Sequence, residues 1–461
     1  MVSGGTQKLY IETFGCQMNK LDSELVLGEL RLEGYEPTDT RDEADLVLFN
    51  TCSVRDQAEN RVHSHLGELK RIKRSRPGLI LGVTGCMAQR DSEALLARHL
   101  HVDLVVGTAQ IQNIRALVRE VAQTGRRIAA VELDQVQFHR DVATRPNRHQ
   151  AFVSVMRGCD VMCTFCVVPF TRGREQSATP AEIADEVRRL ADDGVREVTF
   201  LGQTVNSYGK RLAARSSLAR LIEDAAQVSG IARVRFITSH PNFMTDDLVD
   251  VLAHEPKACP YLHLPAQHGS NAVLERMRRG YTVEHYREVA HRLRARVGSL
   301  ALASDFIVGF PGETADDHAA TEALMREVGF ANSFVFRYSV RPQTYAARKL
   351  PDDVPEPTKR ERNQRLLAIQ EEVSLARNRG RLGARALVLV EGPSKRDESR
   401  LFGRTPEHEI VVFDGPPSLA GEIVPVDLVD CTALTLFGRR VAAERADPAP
   451  VAAAADGDRR A

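Results

Sequence analysis

Short apolar runs alternate with helical segments along most of this chain, and that alternation restricts its architecture more than any other feature. In the first third, KLYIET (8–13), DLVLFN (45–50), LILGVTG (79–85) and VDLVVG (102–107) read as strands. Between them, DSELVLGELRLEG (22–34) has helical periodicity and ends on a glycine, and 55–76 reads as a polar, basic helix. A further helix follows the fourth strand through Glu120. Strands separated by helices at this pace form a parallel sheet with helices on both faces. The first domain, 8–125, is therefore expected to be an open parallel α/β sheet, and the polar QFHRDVATRPNRHQ (137–150) a linker.

A second alternating block spans 145–378. Its strand candidates are AFVSVMRG (151–158), REVTFLG (196–202), RVRFITS (233–239), YLHLP (261–265), LASDFIVGFP (302–311) and NSFVFRYS (332–339). A helix, PAEIADEVRRLADDG (180–194), opens with proline behind a threonine cap. About six strand–helix units imply a full or partial β/α barrel. From 379 to 444 the pattern becomes short strands between glycine-rich or charged turns, as in a small all-β barrel. The end, 445–461, is poor in bulky apolar residues and reads as a disordered tail.

The 62 basic and 62 acidic residues cancel, so nucleic-acid binding would have to come from local patches. No apolar run reaches membrane-spanning length, and the N-terminus lacks a signal-peptide pattern. Both observations point to a cytoplasmic protein with no membrane partner.

Eight cysteines in such a chain make no disulphide scaffold. Cys159, Cys163 and Cys166 form a C-x3-C-x2-C pattern in RGCDVMCTFCVVPFTRGRE, just after the first barrel strand. A loop there lies at the face where barrels place their chemistry. Three clustered thiolates suit an iron–sulphur cluster, or a structural zinc with a distant fourth ligand. With three ligands a [4Fe-4S] cluster keeps one iron open, which can chelate S-adenosylmethionine (SAM). Cys16, Cys52 and Cys86 each follow a predicted strand, so parallel strands would bring them to one edge. Three unrelated loop cysteines are the alternative. Cys259 and Cys431 have no cysteine company and are expected to be buried.

YIETFGCQMNKLDSE, FNTCSVRDQAENR, TGCMAQR, RGCDVMCTFCVVPFTRGRE, FLGQTVNSYG, SHP, LHLPAQHGSN, RMRRGYT, DFIVGFPGET and GRT together resemble the radical SAM methylthiotransferase family over residues 8–444. The GCQMN opening, with Asn19, is similar to the branch acting on isopentenyladenosine in tRNA. The resemblance implies an N-terminal domain holding an auxiliary [4Fe-4S] cluster on Cys16, Cys52 and Cys86. It also implies a radical SAM partial barrel with a second [4Fe-4S] cluster on Cys159, Cys163 and Cys166, and a TRAM-like C-terminal barrel that helps hold tRNA. The implied reaction is methylthiolation of C2 of N6-isopentenyladenosine at position 37, with one SAM donating methyl and another supplying the 5′-deoxyadenosyl radical. An anticodon stem-loop, an electron donor such as flavodoxin or ferredoxin, and sulphur or cluster supply proteins are the implied partners of a monomer. Threonylcarbamoyladenosine in tRNA or a ribosomal-protein aspartate are alternative substrates. A non-catalytic metal-containing RNA-binding protein is the alternative of a different class. Thr204 stands where the family usually has asparagine, and His268 where it commonly has serine.

Other residues are candidates by position. Gln203, Asn206, Ser239, His240, His263, Gln267, Asp305 and Gly309 lie at or just beyond barrel strands and could bind SAM or substrate. Gly312 and Glu313 share the turn after Gly309, and Phe165 could shield the cluster. Arg157, Arg172, Arg174, Arg276, Arg278 and Arg279 lie near the proposed chemistry, and Lys395, Arg396, Arg400 and Arg404 in the last domain. Among these Arg172, Arg174, Arg278, Lys395 and Arg404 are the leading RNA contacts. The basic helix 63–76 is another RNA surface candidate.

Overall fold

Strand residues of the N-terminal sheet alternate between two apolar layers, which explains its helices on both faces. Val47 and Phe49 pack in one core with Val62, Leu66 and Leu69; Leu46 and Leu48 pack in the other with Val26, Leu30, Ile114 and Val118. The computed structural model describes residues 6–53, 56–133, 138, 144–145 and 147–441. Half of the 137–150 linker and the whole 445–461 tail lie outside these residues. The sheet runs β2 (Tyr35–Pro37), β1 (Gln7–Phe14), β3 (Leu46–Thr51), β4 (Ile80–Gly85), β5 (Leu104–Val106), β6 (Ile128–Ala130), all parallel. Its helices are α1 (Gln17–Arg31), α2 (Asp56–Ser75), α3 (Cys86–Arg98) and α4 (Ile114–Thr124).

Several details differ from the sequence expectation. Helix α1 begins at Gln17, five residues before the expected Asp22, because its first turn buries Met18 and Leu21 against Leu201 of the next domain. Strand β6 lies beyond residue 125, and β2 is a second short edge strand that the apolar pattern did not reveal. Helix α3 starts directly at Cys86 and is kinked at Ser92, whose φ is 41°.

The central domain holds all six expected strands. They are β7 (Gln150–Ser154), β10 (Glu197–Leu201), β11 (Arg233–Phe236), β12 (Tyr261–His263), β13 (Ala301–Val308) and β14 (Asn332–Arg337). They form two parallel three-stranded sheets, β11-β10-β7 and β12-β13-β14. The Ser239 N–H donates to the His263 carbonyl at 3.0 Å across the seam, so the strands follow one curved wall, a partial barrel. A small antiparallel pair, β8 (Met156–Arg157) and β9 (Gln176–Ser177), brackets the loop with Cys159, Cys163 and Cys166.

Residues Glu356–Arg379 form a long helix leading to the last domain. There β15 (Arg385–Pro393), β16 (Leu401–Arg404), β17 (Ile410–Phe413), β18 (Ile423–Cys431) and β19 (Leu436–Arg440) close a barrel in the order β15-β16-β17-β19-β18. Two arginines on β11 dock this barrel under the central domain. Arg233 donates to the carbonyls of Arg404 (2.7 Å) and Leu387 (2.8 Å); Arg235 donates to those of Pro406 (2.6 Å) and Thr405 (2.7 Å). Glu197 compensates them, 3.0 Å from Arg235 Nε. Cys259 is buried as expected, but Cys431, the last residue of β18, is only half-buried.

Among the described residues no helix is long and apolar enough to cross a membrane.

Candidate active site and its cysteines

The first three cysteines follow the C-terminal ends of β1, β3 and β4, which are consecutive neighbours in the sheet. A buried amide pair fixes those ends. Asn19 Nδ2 donates to Asn50 Oδ1 (2.8 Å), while Asn50 Nδ2 donates to the Asn19 carbonyl (2.8 Å) and to Ser23 Oγ (2.9 Å). The Cys16 thiol donates to Asn19 Oδ1 at 3.2 Å. Asn19 of the GCQMN motif thus links the Cys16 turn to the strand that delivers Cys52. Gly85, before Cys86, has φ 90°, and a Cβ there would lie 2.4 Å from Asn50 Oδ1, so the turn requires glycine. Replacing Asn50 with leucine would strand the buried groups of Asn19. The expected cost is about 1–3 kcal/mol, with reduced iron uptake at this site, measured by denaturant melts and iron assay of the reconstituted protein.

The second set sits on the loop between β8 and β9. Gly158 has φ 76°, and a Cβ on it would lie 2.1 Å from the Arg174 carbonyl, so the loop closes tightly at its base. The Cys159 N–H donates to the Gly173 carbonyl (3.2 Å). Thr204 Oγ1 lies 3.3 Å from Cys159 Sγ, so the residue that departs from the family pattern contacts one of the loop thiols. Arg279 Nη1 donates to Cys163 Sγ at 3.1 Å, and its Nε to Tyr281 Oη at 3.1 Å.

One cavity of about 350 Å³ joins the two sets. Cys16 and Cys52 line it together with Cys159, Cys163 and Cys166; Cys86 does not. Of the candidates, Gln203, Ser239, His240, His263, Gln267 and Asp305 also line it, and so does Phe165, packed edge-on against Phe310. Gln203 Oε1, Ser239 Oγ and His240 Nε2 are buried there with no hydrogen-bond partner. His263 Nε2 is 3.1 Å from Asp305 Oδ1. Arg341, which the sequence did not single out, lines the cavity and reaches Glu59 of the N-terminal domain at 3.4 Å.

Other candidates go elsewhere. Asn206 is occupied in tying two loops together: it donates to the His240 carbonyl (2.9 Å) and accepts from the His240 N–H (2.9 Å). Gly309 faces Lys359, whose Cγ would be 2.3 Å from a Cβ, so it serves close packing rather than ligand approach. Glu313 accepts from the N–H of Phe310 at 3.0 Å within the same turn. His268 is buried against Thr321 (3.2 Å) and Glu313 (3.6 Å), away from the cavity, so it fills a polar pocket.

The proposed RNA contacts also separate. Arg172 is corrected: its side chain is 2% exposed and pairs with Asp22 at 2.6 Å, which places it inside the domain junction rather than on a phosphate-facing surface. Arg157 joins it, 3.3 Å from the other Asp22 oxygen. Arg404 is half-buried and holds Glu391. Arg174 is exposed, 3.4 Å from Asp160, and Arg278, Lys395 and Arg396 are exposed. Along α2, Lys70, Arg71 and Arg74 face solvent, whereas Lys73 pairs with Asp103.

Both thiol sets fit iron–sulphur clusters. Metal binding needs thiolates. The Cys16 thiol is brought down to about 6, first by its hydrogen bond with Cys52, against burial, with Arg172 lowering it further. Burial pushes the Cys159 and Cys166 thiols up, so these hold their protons until a metal displaces them. Among the described residues no three His, Cys, Asp or Glu side chains are grouped to hold a single metal ion. A cluster makes a different demand, because each thiolate takes its own iron. The unpaired polar atoms of Gln203, Ser239 and His240 beside the loop suit a polar ligand such as SAM.

The Radical SAM superfamily model matches residues 153–325, the TRAM domain model 380–441, and the model of the uncharacterized protein family UPF0004 8–107. Among solved structures, the radical S-adenosylmethionine methyltransferase TsrM from Kitasatospora setae, with cobalamin and a [4Fe-4S] cluster bound, is similar in fold. Its TM-score is 0.55 at 15% identity, over 74% of this chain and 77% of that one. The partial barrel and its three-cysteine loop define a radical SAM protein. The relatives narrow this further. A tRNA-2-methylthio-N(6)-dimethylallyladenosine synthase of Rhodopirellula baltica is 44% identical, over 94% of this chain and 95% of that protein. Proteins of the same name from Bordetella avium and Clostridium botulinum are 43% and 40% identical, over 96% and 94% of this chain and 94% and 97% of theirs. The chain belongs to the tRNA-2-methylthio-N(6)-dimethylallyladenosine synthase family, a family of radical SAM methylthiotransferases.

Proposed function

We propose that this protein adds a methylthio group to C2 of N6-isopentenyladenosine at tRNA position 37. The observation that carries this reading is the shared cavity: Cys16 and Cys52 open onto the same space as Cys159, Cys163 and Cys166. Two [4Fe-4S] clusters and SAM, when bound, supply a reducing electron, a carbon-centred radical, a methyl group and an attachment point for sulphur.

The chain's own residues do the rest. Cys159, Cys163 and Cys166 hold one cluster, and Cys16, Cys52 and Cys86 the other. Gln203 Oε1 and Ser239 Oγ offer polar contacts beside the first, and His240 Nε2 a third. Burial, reinforced by Arg279, lowers the His240 imidazole to about 3, so it is neutral at physiological pH. Ile237, Ile307 and Phe336 line the wall and exclude water from the reacting centre. The target base has to leave its stack to enter. Exposed Lys395 and Arg396, with Lys70, Arg71 and Arg74 on α2, are the phosphate contacts this reading uses. The protein works in the cytoplasm as a monomer. It takes electrons from a carrier such as flavodoxin or ferredoxin, and sulphur or clusters from supply proteins.

Nucleoside analysis of tRNA from a deletion strain tests the substrate. The expected result is loss of the 2-methylthio derivative with accumulation of N6-isopentenyladenosine. An unchanged nucleoside profile would overturn the reading. Loss of the methylthio form of threonylcarbamoyladenosine instead would move the activity to that substrate.

A further inference from the structure

The Cys159–Cys166 loop has two faces. Val161, Cys163, Phe165 and Cys166 line the cavity, whereas Met162 and Thr164 do not. Met162 stands in solvent, 46% exposed, in a left-handed conformation with φ 55° that a residue with a Cβ rarely adopts. Thr164 is buried and ties the loop outward. Its N–H donates to the Met277 carbonyl (3.0 Å), its hydroxyl to the Arg276 carbonyl (2.8 Å), and its own carbonyl accepts from the Ala346 N–H (2.8 Å). Met277 and the short helix Tyr345–Lys349 therefore form a layer directly behind the cluster ligands.

The outside of that layer is basic. The Arg278 guanidinium lies 4.0 Å over the Tyr345 ring, and Arg348 and Lys349 follow on the same short helix, all exposed. Among the described residues no carboxylate pairs with Arg278, Arg348 or Lys349. Their neighbours behave otherwise: Arg276 is 3.8 Å from Asp317, Arg341 is 3.4 Å from Glu59, and Arg337 pairs with Glu356. Uncompensated positive charge is thus concentrated behind the cysteine loop, beside exposed Met162 and Tyr345.

We propose that Met162, Arg278, Tyr345, Arg348 and Lys349 form the docking surface for an acidic protein that carries single electrons. The inference rests on the radical SAM reading above. Three free cations around a small apolar centre match a negatively charged partner and steer its approach. Electron-transfer complexes are weak and small, which suits a patch of five side chains. In the step served here, the carrier loses one electron and the cluster on Cys159, Cys163 and Cys166 gains it; no bond or proton moves at the surface. An electron entering here crosses only the layer formed by Thr164 and Met277. The cavity face of the loop stays free for the nucleoside, so carrier and RNA can be bound together. That two-sided arrangement favours a protein carrier over RNA as the occupant.

The test compares two reductants on one variant, R278E/R348E/K349E, reconstituted anaerobically and assayed for 5′-deoxyadenosine. With dithionite, which needs no docking site, the rate is expected to stay within about twofold of the parent protein. With a reduced acidic flavodoxin it is expected to fall at least tenfold, through a raised KM for flavodoxin, and the parent's flavodoxin-driven rate should fall as salt rises. Equal loss with both reductants would overturn the proposal, as would no loss with either. Retained flavodoxin-driven turnover with weakened tRNA binding would assign the patch to RNA instead. The single change K349E, which disturbs the fold least, should move the same way by a smaller factor. No dithionite-driven 5′-deoxyadenosine from the parent protein would sink the radical SAM reading itself, separately from the docking site.

Discussion

Alanine at Cys159, Cys163 and Cys166 is expected to abolish SAM cleavage, whereas alanine at Cys16, Cys52 and Cys86 is expected to leave cleavage intact and stop methylthio transfer. The structural basis is that the sets share a cavity but stand on different backbone segments. One stands on turns after β1, β3 and β4, stapled by Asn19 and Asn50. The other stands on a loop closed between β8 and β9 and braced by Arg279. Each triple variant should retain about four of about eight irons per chain. Iron assay, 5′-deoxyadenosine formation under reduction, and mass analysis of the tRNA nucleosides are the readouts. Loss of SAM cleavage in both variants would mean that the two sites are not independent.

The second large effect is expected at the junction of the first two domains. Asp22 on α1 and Arg172 beyond the cysteine loop are each 2% exposed at the side chain and 2.6 Å apart. Changing Arg172 to methionine leaves Asp22 buried with only Arg157 at 3.3 Å. Removing one partner of a buried pair costs about 3–5 kcal/mol. Arg172 also interacts electrostatically with Cys86 and Cys16, so the variant should lose auxiliary iron as well as stability. The double change Asp22→Leu with Arg172→Met should recover most of the stability but not the iron, since it removes the stranded charge without restoring the cation. Denaturant melts and iron content separate the two effects. As a control, Arg385→Ala, which opens a surface pair with Asp427, should leave the melting midpoint almost unchanged. An equally small shift for Arg172→Met would contradict the junction's role.

Much of this molecule was legible before its structure. All six barrel strands and the five strands of the terminal barrel lie where apolar runs end at glycine or charged turns, because each strand is buried by its own neighbours. The start of α1 was not legible, since its first turn is apolar toward another domain and α1 also buries Asn19, Asp22, Ser23 and Glu29, which break the helical pattern. Strand β2, YEP, is mostly exposed and ends on proline, and β6, IAA, has little apolar bulk, so neither shows as an apolar run. Cysteines reveal themselves by spacing and by repeated placement after strands. Arginines do not: Arg172, Arg174 and Arg278 look alike in sequence, yet one is buried in an ion pair, one lies beside Asp160 and one lies on a tyrosine ring. Asn206 looked like a ligand for the same reason, because sequence shows the amide but not that a backbone already occupies it.

The docking of the terminal barrel has a consequence for how such proteins can be rearranged. Four carbonyls of that barrel are held by Arg233 and Arg235, which rise from the central domain's own strand. The C-terminal module is therefore no interchangeable bead on a string. A graft from an unrelated protein, or a truncation near residue 380, would leave two guanidiniums and their carboxylate facing an empty floor. Change in the C-terminal module is thereby restricted to its outer loops, while the segment that meets the central domain is bound to co-vary with β11.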